Sequence, residues 1–168
     1  SMGVNEDRLK VIDFSDKYYN TPTVIVAAKG AGITPDATGL AGKVLGVQVS
    51  TVYQTYAEKH FADAVSEIKI YQTQDEANQD LVAGRIDAVE ADSIALDAFL
   101  ATPAGACCEV MGKVADDAEV LGSGIAVGLR KGDDALKAKF NKAIADVLAD
   151  GTYDKITAKY FTSSIYGD

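Results

Sequence analysis

Between residues 43 and 92 the sequence alternates short apolar runs with stretches that have helical spacing. The nearly continuous apolar run Val44–Val49 is typical of a buried strand in a parallel sheet. The pattern that follows predicts four elements: a helix over Tyr53–Ala64, a strand over Glu67–Tyr71, a helix capped by Thr73 and ended by Gly84, and a strand over Arg85–Ala91. Two consecutive βαβ units of this kind predict a parallel sheet, because the crossover rule leaves few other topologies.

Outside this region the hydrophobic pattern is less regular. Residues 8–22 mix strand-forming residues with turn residues. The other predicted elements are a strand over Thr23–Ala28, a helix capped by Ser93 and running to about Leu100, weak strand character over Glu109–Val120, a strand over Ile125–Leu129, and helices over Ala135–Ala149 and Tyr153–Tyr160. The long helix carries apolar residues on one face, which indicates an amphipathic helix packed on a core: Leu136, Phe140, Ile144 and Leu148.

Polar residues stand where two of the predicted parallel strands end. Ser50 and Thr51 precede a helix, and the hydroxyls, N–H groups and dipole of a helix start favour an anion. Asp92 ends the last strand and is itself an anion. Since parallel strands end on the same side of a sheet, a molecule with a carboxylate and an ammonium on one carbon fits between the two sites. The alternative for each site is an ordinary helix N-cap without a ligand.

Two further charged residues have both a structural and a functional interpretation. Glu90 lies two residues before Asp92 on the same strand face, so the pair forms either an acid–base pair or the negative wall of a pocket. Arg8 is either a surface residue or a planar fork for a carboxylate, and sequence spacing does not relate it to Thr51. No nucleophile–base motif is recognisable, and a single histidine, His60, with two thiols cannot complete a zinc site. The sequence therefore predicts no metal and no cofactor.

The composition indicates a globular chain. Its 168 residues are 48% hydrophobic and 24% charged, which suits one domain or two small lobes. The formal net charge of −9 argues against nucleic acid and anionic membranes as partners. No apolar run approaches the roughly 20 residues of a membrane span. The adjacent cysteines, Cys107 and Cys108, are expected to be thiols, or one is expected to pair outside this chain, because a ring closed between neighbours is strained.

Three runs resemble, in the same order, segments of the solute-binding proteins of polar amino acid ABC transporters. They are LAGKVLGVQVSTVYQTY, QDEANQDLVAGRIDAVEAD and GIAVGLRKGDDALKAKFNKAIADVLADGTYDKITAKYF. In addition, RLKVIDFSDKYY resembles the segment where those proteins enter their second lobe. The likeness covers nearly the whole chain, and the final segments are most similar to the branch that binds lysine, arginine, ornithine, histidine or opines.

The resemblance implies the α/β, periplasmic binding protein type II fold, in which a ligand lies between two lobes that close by a hinge. A complete second lobe with a parallel βαβαβ core is expected at residues 20–120. Only part of the first lobe is expected, from residues 1–19 and 121–168, because the family has a long N-terminal portion before the segment that holds Arg8. The resemblance thus predicts an N-terminally truncated chain. Faces left uncovered, such as Phe140 and Ile144, predict a homodimer or a swapped assembly.

The same resemblance implies roles for individual residues. Arg8 matches the family arginine that grips the ligand α-carboxylate. Thr51 and the backbone N–H of Val52 match the helix-start partners of that carboxylate. Asp92 matches the acid that holds the α-ammonium group. Lesser positions in the ligand cleft are matched by Gln48, Ser50 and Tyr53.

Three positions depart from the family pattern. Ser50 stands where glycine is common, and Val52 stands where a hydroxyl residue is common, which removes one hydrogen bond. Glu90 stands where an apolar residue is usual. It either recognises a cationic side chain or an extra ligand amine, or it is solvated.

The resemblance predicts binding of a polar or cationic amino acid, or an opine, in the periplasm. The ligand would be delivered to the membrane permease of an ABC transporter, without catalysis. One alternative is an enzyme that reuses the fold, such as a dehydratase acting on a cyclic acid, with Glu90 and Asp92 as its acid–base pair. Another is a ligand-sensing or interaction module, since related lobes occur in receptors.

Overall fold

The computed structural model describes residues 2–161 and 164–167, and its architecture is α/β. The strands are β1 (Met2–Gly3), β2 (Asp13–Phe14), β3 (Thr23–Ala28), β4 (Val44–Gln48), β5 (Glu67–Tyr71), β6 (Ala88–Asp92), β7 (Cys108–Lys113), β8 (Ile125–Ala126) and β9 (Gly128–Leu129). The helices are α1 (Glu6–Val11), α2 (Val52–His60), α3 (Gln74–Val82), α4 (Ser93–Leu100), α5 (Asp134–Ala149) and α6 (Thr152–Thr157). A 3₁₀ turn, Ala104–Cys107, joins α4 to β7.

The chain divides into two compact units. Unit 1 comprises Ser1–Thr21 and Leu121–Asp168, and unit 2 comprises Pro22–Val120. Unit 2 is therefore continuous in sequence, whereas unit 1 is built from both ends of the chain. None of the helices within the described ranges has the length and apolar character needed to cross a membrane.

Unit 2 is organised around a five-stranded sheet with the strand order β5–β4–β6–β3–β7. Strand β4 pairs in parallel with β5 and β6, as the two βαβ units predict. Strand β3 is antiparallel to β6 and β7, so the sheet as a whole is mixed. The chain steps from β4 to β5 in one direction and from β5 to β6 in the other. Right-handed crossovers therefore put α2 and α3 on opposite faces of the sheet.

Both faces of this sheet are covered. The buried cluster beneath α3 and α4 consists of Val24, Val26, Ala77, Leu81, Ile86, Val89, Ala91, Leu96 and Cys108. Because side chains alternate along a strand, the intervening residues point to the opposite face. They are Ile25, Ala27, Ala88 and Glu90. Helix α2 covers that face and buries Val52, Tyr56 and Ala57.

Helix α3 begins and ends at the predicted signals. The hydroxyl of Thr73 accepts a hydrogen bond from the N–H of Glu76 at 3.2 Å, and the Glu76 carboxylate accepts one from the N–H of Thr73 at 2.9 Å. This reciprocal pair is the predicted capping box. Gly84 follows the helix with φ of +68°, a left-handed conformation that favours glycine.

Unit 1 contains two short antiparallel pairs, β1 with β8 and β2 with β9. Its buried apolar residues, among those described, are Phe14, Ala126 and Leu129. Helices α1, α5 and α6 contain no buried residue. Leu136 and Ile156 are 39% and 52% exposed. The apolar stripe that predicted an amphipathic helix is present on α5, but its residues are only partly covered.

The structure corrects two of the predicted local features. Residues 6–11 form helix α1 rather than a mixture of strand and turn, because the side chain of Asn5 accepts a hydrogen bond from the N–H of Arg8 at 3.0 Å and caps the helix. Helix α4 is capped by Asp92 and not by Ser93. The Asp92 carboxylate accepts from the N–H of Ile94 at 2.8 Å.

The expectation of free thiols at the two cysteines is wrong. Cys107 and Cys108 are joined to each other in a disulfide, and neither is a free cysteine. The 3₁₀ turn ends at Cys107 and strand β7 begins at Cys108, so the disulfide lies where the turn meets the strand.

Candidate functional site

The two predicted polar strand ends lie at one edge of the sheet in unit 2. Strands β4 and β6 are parallel neighbours, with Leu45 opposite Ala88 and Gly46 opposite Val89. They therefore end side by side, at Gln48 and at Asp92. Helix α2 starts just beyond the first strand end, and α4 starts at the second.

Thr51 is the N-cap of α2. Its hydroxyl accepts a hydrogen bond from the N–H of Gln54 at 3.1 Å and donates one to the carbonyl of Gln48 at 2.7 Å. The first turn of the helix contains no acidic residue, so the positive end of its dipole is not neutralised from within. The N–H of Val52 belongs to this first turn, where a helix supplies no internal acceptor. These features give the helix start the character of an anion site.

Ser50 precedes the cap in an unusual backbone conformation. Its φ is +60°, which makes it the single non-glycine residue with positive φ in the part of the chain that the structure describes. Its N–H donates to the Gln54 side chain at 2.8 Å. The resemblance predicts that glycine is common at this position, and the left-handed backbone is the physical reason for that preference.

Two other residues that were predicted to lie in the ligand cleft are close to this turn in sequence. Gln48 is half-buried and its side-chain amide donates to the carbonyl of Gln72 at 3.4 Å. Tyr53 is also half-buried, in the first turn of α2.

For Asp92 the sequence leaves open a helix N-cap and a ligand site, and the structure shows the N-cap. Its carboxylate caps α4, so the interpretation of Asp92 as a helix N-cap is confirmed. The residue is half-buried and lies opposite Thr23 in the sheet. The cap fixes a carboxylate at the same edge where α2 presents its N-terminus. The edge therefore carries an anion-binding helix start and an anion, which is the charge pattern that an amino acid zwitterion requires.

Glu90 lies in the interior of unit 2 and not at the sheet edge. It is 0% exposed, and neither carboxyl oxygen has a hydrogen-bond partner among the described residues. Burial raises the pKa of Glu90 well above its ordinary value. Of the two alternatives for Glu90, the solvated side chain is wrong, because the residue has no exposed surface. The alternation of the strand predicted which face Glu90 is on, but α2 covers that face.

Arg8 belongs to unit 1, where it lies on α1 and is half-buried. Its guanidinium donates to the carbonyl of Gly3 at 3.0 Å. The structure thus holds the side chain against the first strand of unit 1.

Sequence reasoning missed a charged cluster at the other end of α2. Asp117, whose side chain is 12% exposed, accepts hydrogen bonds from Lys59 at 2.9 Å and His60 at 2.7 Å. These bonds hold the pKa of Asp117 well below its ordinary value. The cluster ties the last turn of α2 to the segment that leaves unit 2. His60 and Asp117 are 57 positions apart in sequence, so no local pattern indicates the contact.

The described part of unit 2 also contains a cavity of about 520 Å³ beside α3 and α4. Its lining consists of Gln74, Asp75, Asn78, Gln79, Val82, Ala95, Ala98, Phe99, Thr102 and Ala104. None of the predicted ligand residues is among them. No group of three or more histidine, cysteine or acidic side chains in the described ranges is arranged to hold a metal ion.

Comparisons with known proteins identify the family to which the chain belongs. The family model of bacterial extracellular solute-binding proteins, family 3, matches residues 1–163. The L-arginine-binding protein of Pseudomonas aeruginosa is 42% identical over 168 residues, covering 99% of this chain. The histidine-binding periplasmic protein of Salmonella typhimurium is 40% identical over 168 residues, again covering 99% of this chain. The chain spans 65% of the length of each of these two relatives.

A solved structure supports the same assignment. An ancestral arginine-binding protein bound to arginine superimposes with a TM-score of 0.84 at 34% sequence identity, covering 95% of this chain and 69% of that protein. This likeness confirms the predicted α/β fold of the periplasmic binding proteins for the part that the chain contains. The resemblance found in the sequence is confirmed as well: the chain belongs to the bacterial extracellular solute-binding proteins, family 3.

Proposed function

We propose that this chain is the part of a periplasmic binding protein that recognises a polar or cationic amino acid for delivery to the membrane permease of an ABC transporter. The observation that carries the proposal is the location of Thr51 and Asp92 at the same edge of the sheet in unit 2. In this proposal unit 2 is the second lobe, residues 20–120, and unit 1 is part of the first lobe.

The proposed ligand geometry assigns one end of the zwitterion to each helix start. The α-carboxylate accepts a hydrogen bond from the N–H of Val52 at the positive end of α2. The α-ammonium group binds the carboxylate of Asp92. Arg8 is proposed as a further carboxylate ligand on the strength of the family resemblance alone. Ser50, Gln48 and Tyr53 are proposed to line the same site.

A cationic amino acid is the proposed ligand class. The relatives described above are named for arginine and histidine, and the structural relative holds arginine. The net charge of −9 also favours the approach of a cation over that of an anion. Glu90 is left out of the proposed contacts because it has no exposed surface.

Binding is tested by isothermal titration of the chain with L-arginine, L-lysine, L-histidine and agmatine, which is arginine without its carboxylate. We expect heat with at least one of the amino acids and none with agmatine. The variant Asp92→Asn keeps a side chain that caps helices but loses the charge, and it should weaken binding by about tenfold or more. Asp97→Asn is the matched control, because it removes an exposed acid from the same helix and should leave the affinity unchanged. Absence of heat with every amino acid would leave only the family fold.

We also propose that the chain binds without catalysing. An acid–base pair on β6 would need both carboxylates at one surface, but Glu90 is buried and Asp92 caps a helix. Incubation of the chain with each bound amino acid should return the ligand unchanged in mass. A product of altered mass that is lost in Asp92→Asn would contradict this proposal.

Association through unit 1 is the last part of the proposal. Helices α1, α5 and α6 contain no buried residue, and Val11 and Tyr160 are 72% and 75% exposed. Exposed apolar surface of this kind favours a homodimer or a swapped assembly. Sedimentation velocity should detect a dimer, and Phe140→Asp should shift it toward the monomer. A monomer that binds no apolar dye would contradict the proposed assembly.

A further inference from the structure

The disulfide between Cys107 and Cys108 lies across the boundary between the surface and the interior of unit 2. Cys107 is exposed, at the end of the 3₁₀ turn. Cys108 is 4% exposed and belongs to the apolar cluster with Val89 and Leu96. A reagent in solution therefore meets the sulfur of Cys107 first.

The bond does not hold distant parts of the chain together. Its cysteines are adjacent, so it closes almost no loop, and the entropic stabilisation that a disulfide provides grows with loop length. The backbone around the disulfide is held by hydrogen bonds: the carbonyl of Cys107 accepts a hydrogen bond from the N–H of Lys29 at 3.0 Å. Strand β7 pairs along β3 from Cys108 onward. Breaking the S–S bond therefore leaves the fold of unit 2 in place.

The 3₁₀ turn is also fixed independently of the disulfide. The N–H of Gly105 donates to the hydroxyl of Thr102 at 3.1 Å. A side chain at Gly105 would come within 2.3 Å of the carbonyl of Phe99, so the turn packs directly on the end of α4. This close packing holds Cys107 at the surface whether or not it is bonded to Cys108.

We propose that Cys107–Cys108 is a reversible thiol–disulfide exchange site that reacts with small dithiols. A thiolate of the dithiol attacks the sulfur of Cys107, the S–S bond breaks, and the sulfur of Cys108 leaves and takes up a proton. The second thiol of the reagent then displaces Cys107, which also takes up a proton. The dithiol is oxidised to its disulfide, and the protein gains two electrons and two protons as a vicinal dithiol.

The reduced pair presents two adjacent sulfurs of unequal access. Cys107 should be alkylated at least about tenfold faster than Cys108, because access controls thiol reactivity. Two neighbouring thiols also chelate a trivalent arsenical, which a single thiol binds far more weakly, by about a hundredfold.

The test uses the whole chain under native conditions. The oxidised protein is incubated with dithiothreitol and then with iodoacetamide, and alkylation is measured by intact mass and peptide mapping. We expect no alkylation before reduction, alkylation of both cysteines afterwards, and an unchanged far-ultraviolet circular dichroism spectrum. Alkylation without dithiothreitol, alkylation only in denaturant, or loss of the spectrum on reduction would each overturn the proposal.

Phenylarsine oxide provides the second readout. The reduced protein should bind one equivalent, and Cys107→Ser and Cys108→Ala should each weaken binding by about a hundredfold because one sulfur remains. Diamide should restore the disulfide and abolish arsenical binding in the parent chain. Equal binding by the parent and both variants would overturn the assignment of a paired site.

Discussion

Thr51 and Asp92 are both helix N-caps at the same edge of one sheet, and they differ in charge. Thr51 caps α2 with a neutral hydroxyl, whereas Asp92 caps α4 with a carboxylate. The neutral cap leaves the positive end of α2 available to an anion. The carboxylate of Asp92 neutralises the positive end of α4. The groups that stabilise these two helices are therefore the groups that we propose bind the ligand at this edge.

The first prediction concerns the cap of α2. Thr51→Ala should lower the free energy of unfolding by about 1 kcal/mol, because the N–H of Gln54 loses its acceptor. Thr51→Ser keeps a hydroxyl at the cap and should remain within a few tenths of a kcal/mol of the parent chain. Urea unfolding followed by circular dichroism measures both variants. Equal unfolding free energies for the alanine and serine variants would mean that the hydroxyl does not stabilise the helix.

The second prediction concerns the turn before this cap. Ser50→Gly should raise the free energy of unfolding by about 1 kcal/mol, since a left-handed residue costs roughly 1–2 kcal/mol and the added chain freedom of glycine offsets part of the gain. Ser50→Ala separates the two causes, because it removes the hydroxyl and keeps the strained Cβ. The alanine variant should therefore be less stable than the glycine variant in the same urea titration. The opposite order would assign the effect to the hydroxyl.

How far the sequence predicts the structure depends on the range of the interactions involved. Local signals were sufficient for the parallel strands around Val44–Val49 and for the capping box of Thr73 with Glu76. They were sufficient for the relative position of Thr51 and Asp92 too, because parallel strand ends meet at one edge. The strands follow from periodicity, the capping box follows from residues less than one helical turn apart, and the shared edge follows from the crossover rule for parallel strands.

Features that depend on distant neighbours were not predicted. Whether Glu90 is solvated or buried depends on where α2 packs, and strand alternation does not contain that information. Likewise, no local pattern indicates that His60 contacts Asp117, which is 57 positions away in the sequence. The disulfide is a local feature, and it was predicted wrongly because the strain of a small ring was taken to exclude it.

The third prediction concerns the cluster around Asp117. Asp117→Asn should lower the midpoint of thermal unfolding by a few degrees at neutral pH, because Lys59 and His60 lose an anionic partner. The pKa of Asp117 is depressed in the folded chain, so its contribution is present above the unfolded pKa of about 3.9 and is lost as the pH falls. The difference between the two proteins should therefore narrow below about pH 4. Asp116→Asn, at the neighbouring exposed aspartate, is the control and should change the midpoint little. A difference that widens on acidification would contradict this account.

The fourth prediction concerns Glu90, whose carboxyl lies buried opposite Ile25 and beneath α2. Burial raises the pKa of Glu90 in the folded chain. The titratable neighbour on α2 is Tyr56, whose pKa is raised first by its own burial and then by the charge of Glu90. The folded chain thus retains a proton that the unfolded chain releases above its pKa of about 4.3. The contribution of Glu90 to stability is therefore most favourable below that pH and falls as the pH rises toward the folded pKa.

Two substitutions separate the charge of Glu90 from its polarity. Glu90→Leu should stabilise the chain at neutral pH by roughly 1–3 kcal/mol, because it removes a buried polar group that has no partner among the described residues. Glu90→Gln removes the ionisable group but leaves a buried amide, so it should stabilise the chain less than Glu90→Leu. In both variants the decline of unfolding free energy as the pH rises above the unfolded pKa of about 4.3 should be shallower than in the parent chain. Urea titrations at several pH values measure the slope, with Glu67→Gln, at an exposed position of β5, as a control that retains the parent slope. A parent slope preserved in both Glu90 variants would mean that this carboxyl keeps the same protonation in the folded and unfolded states.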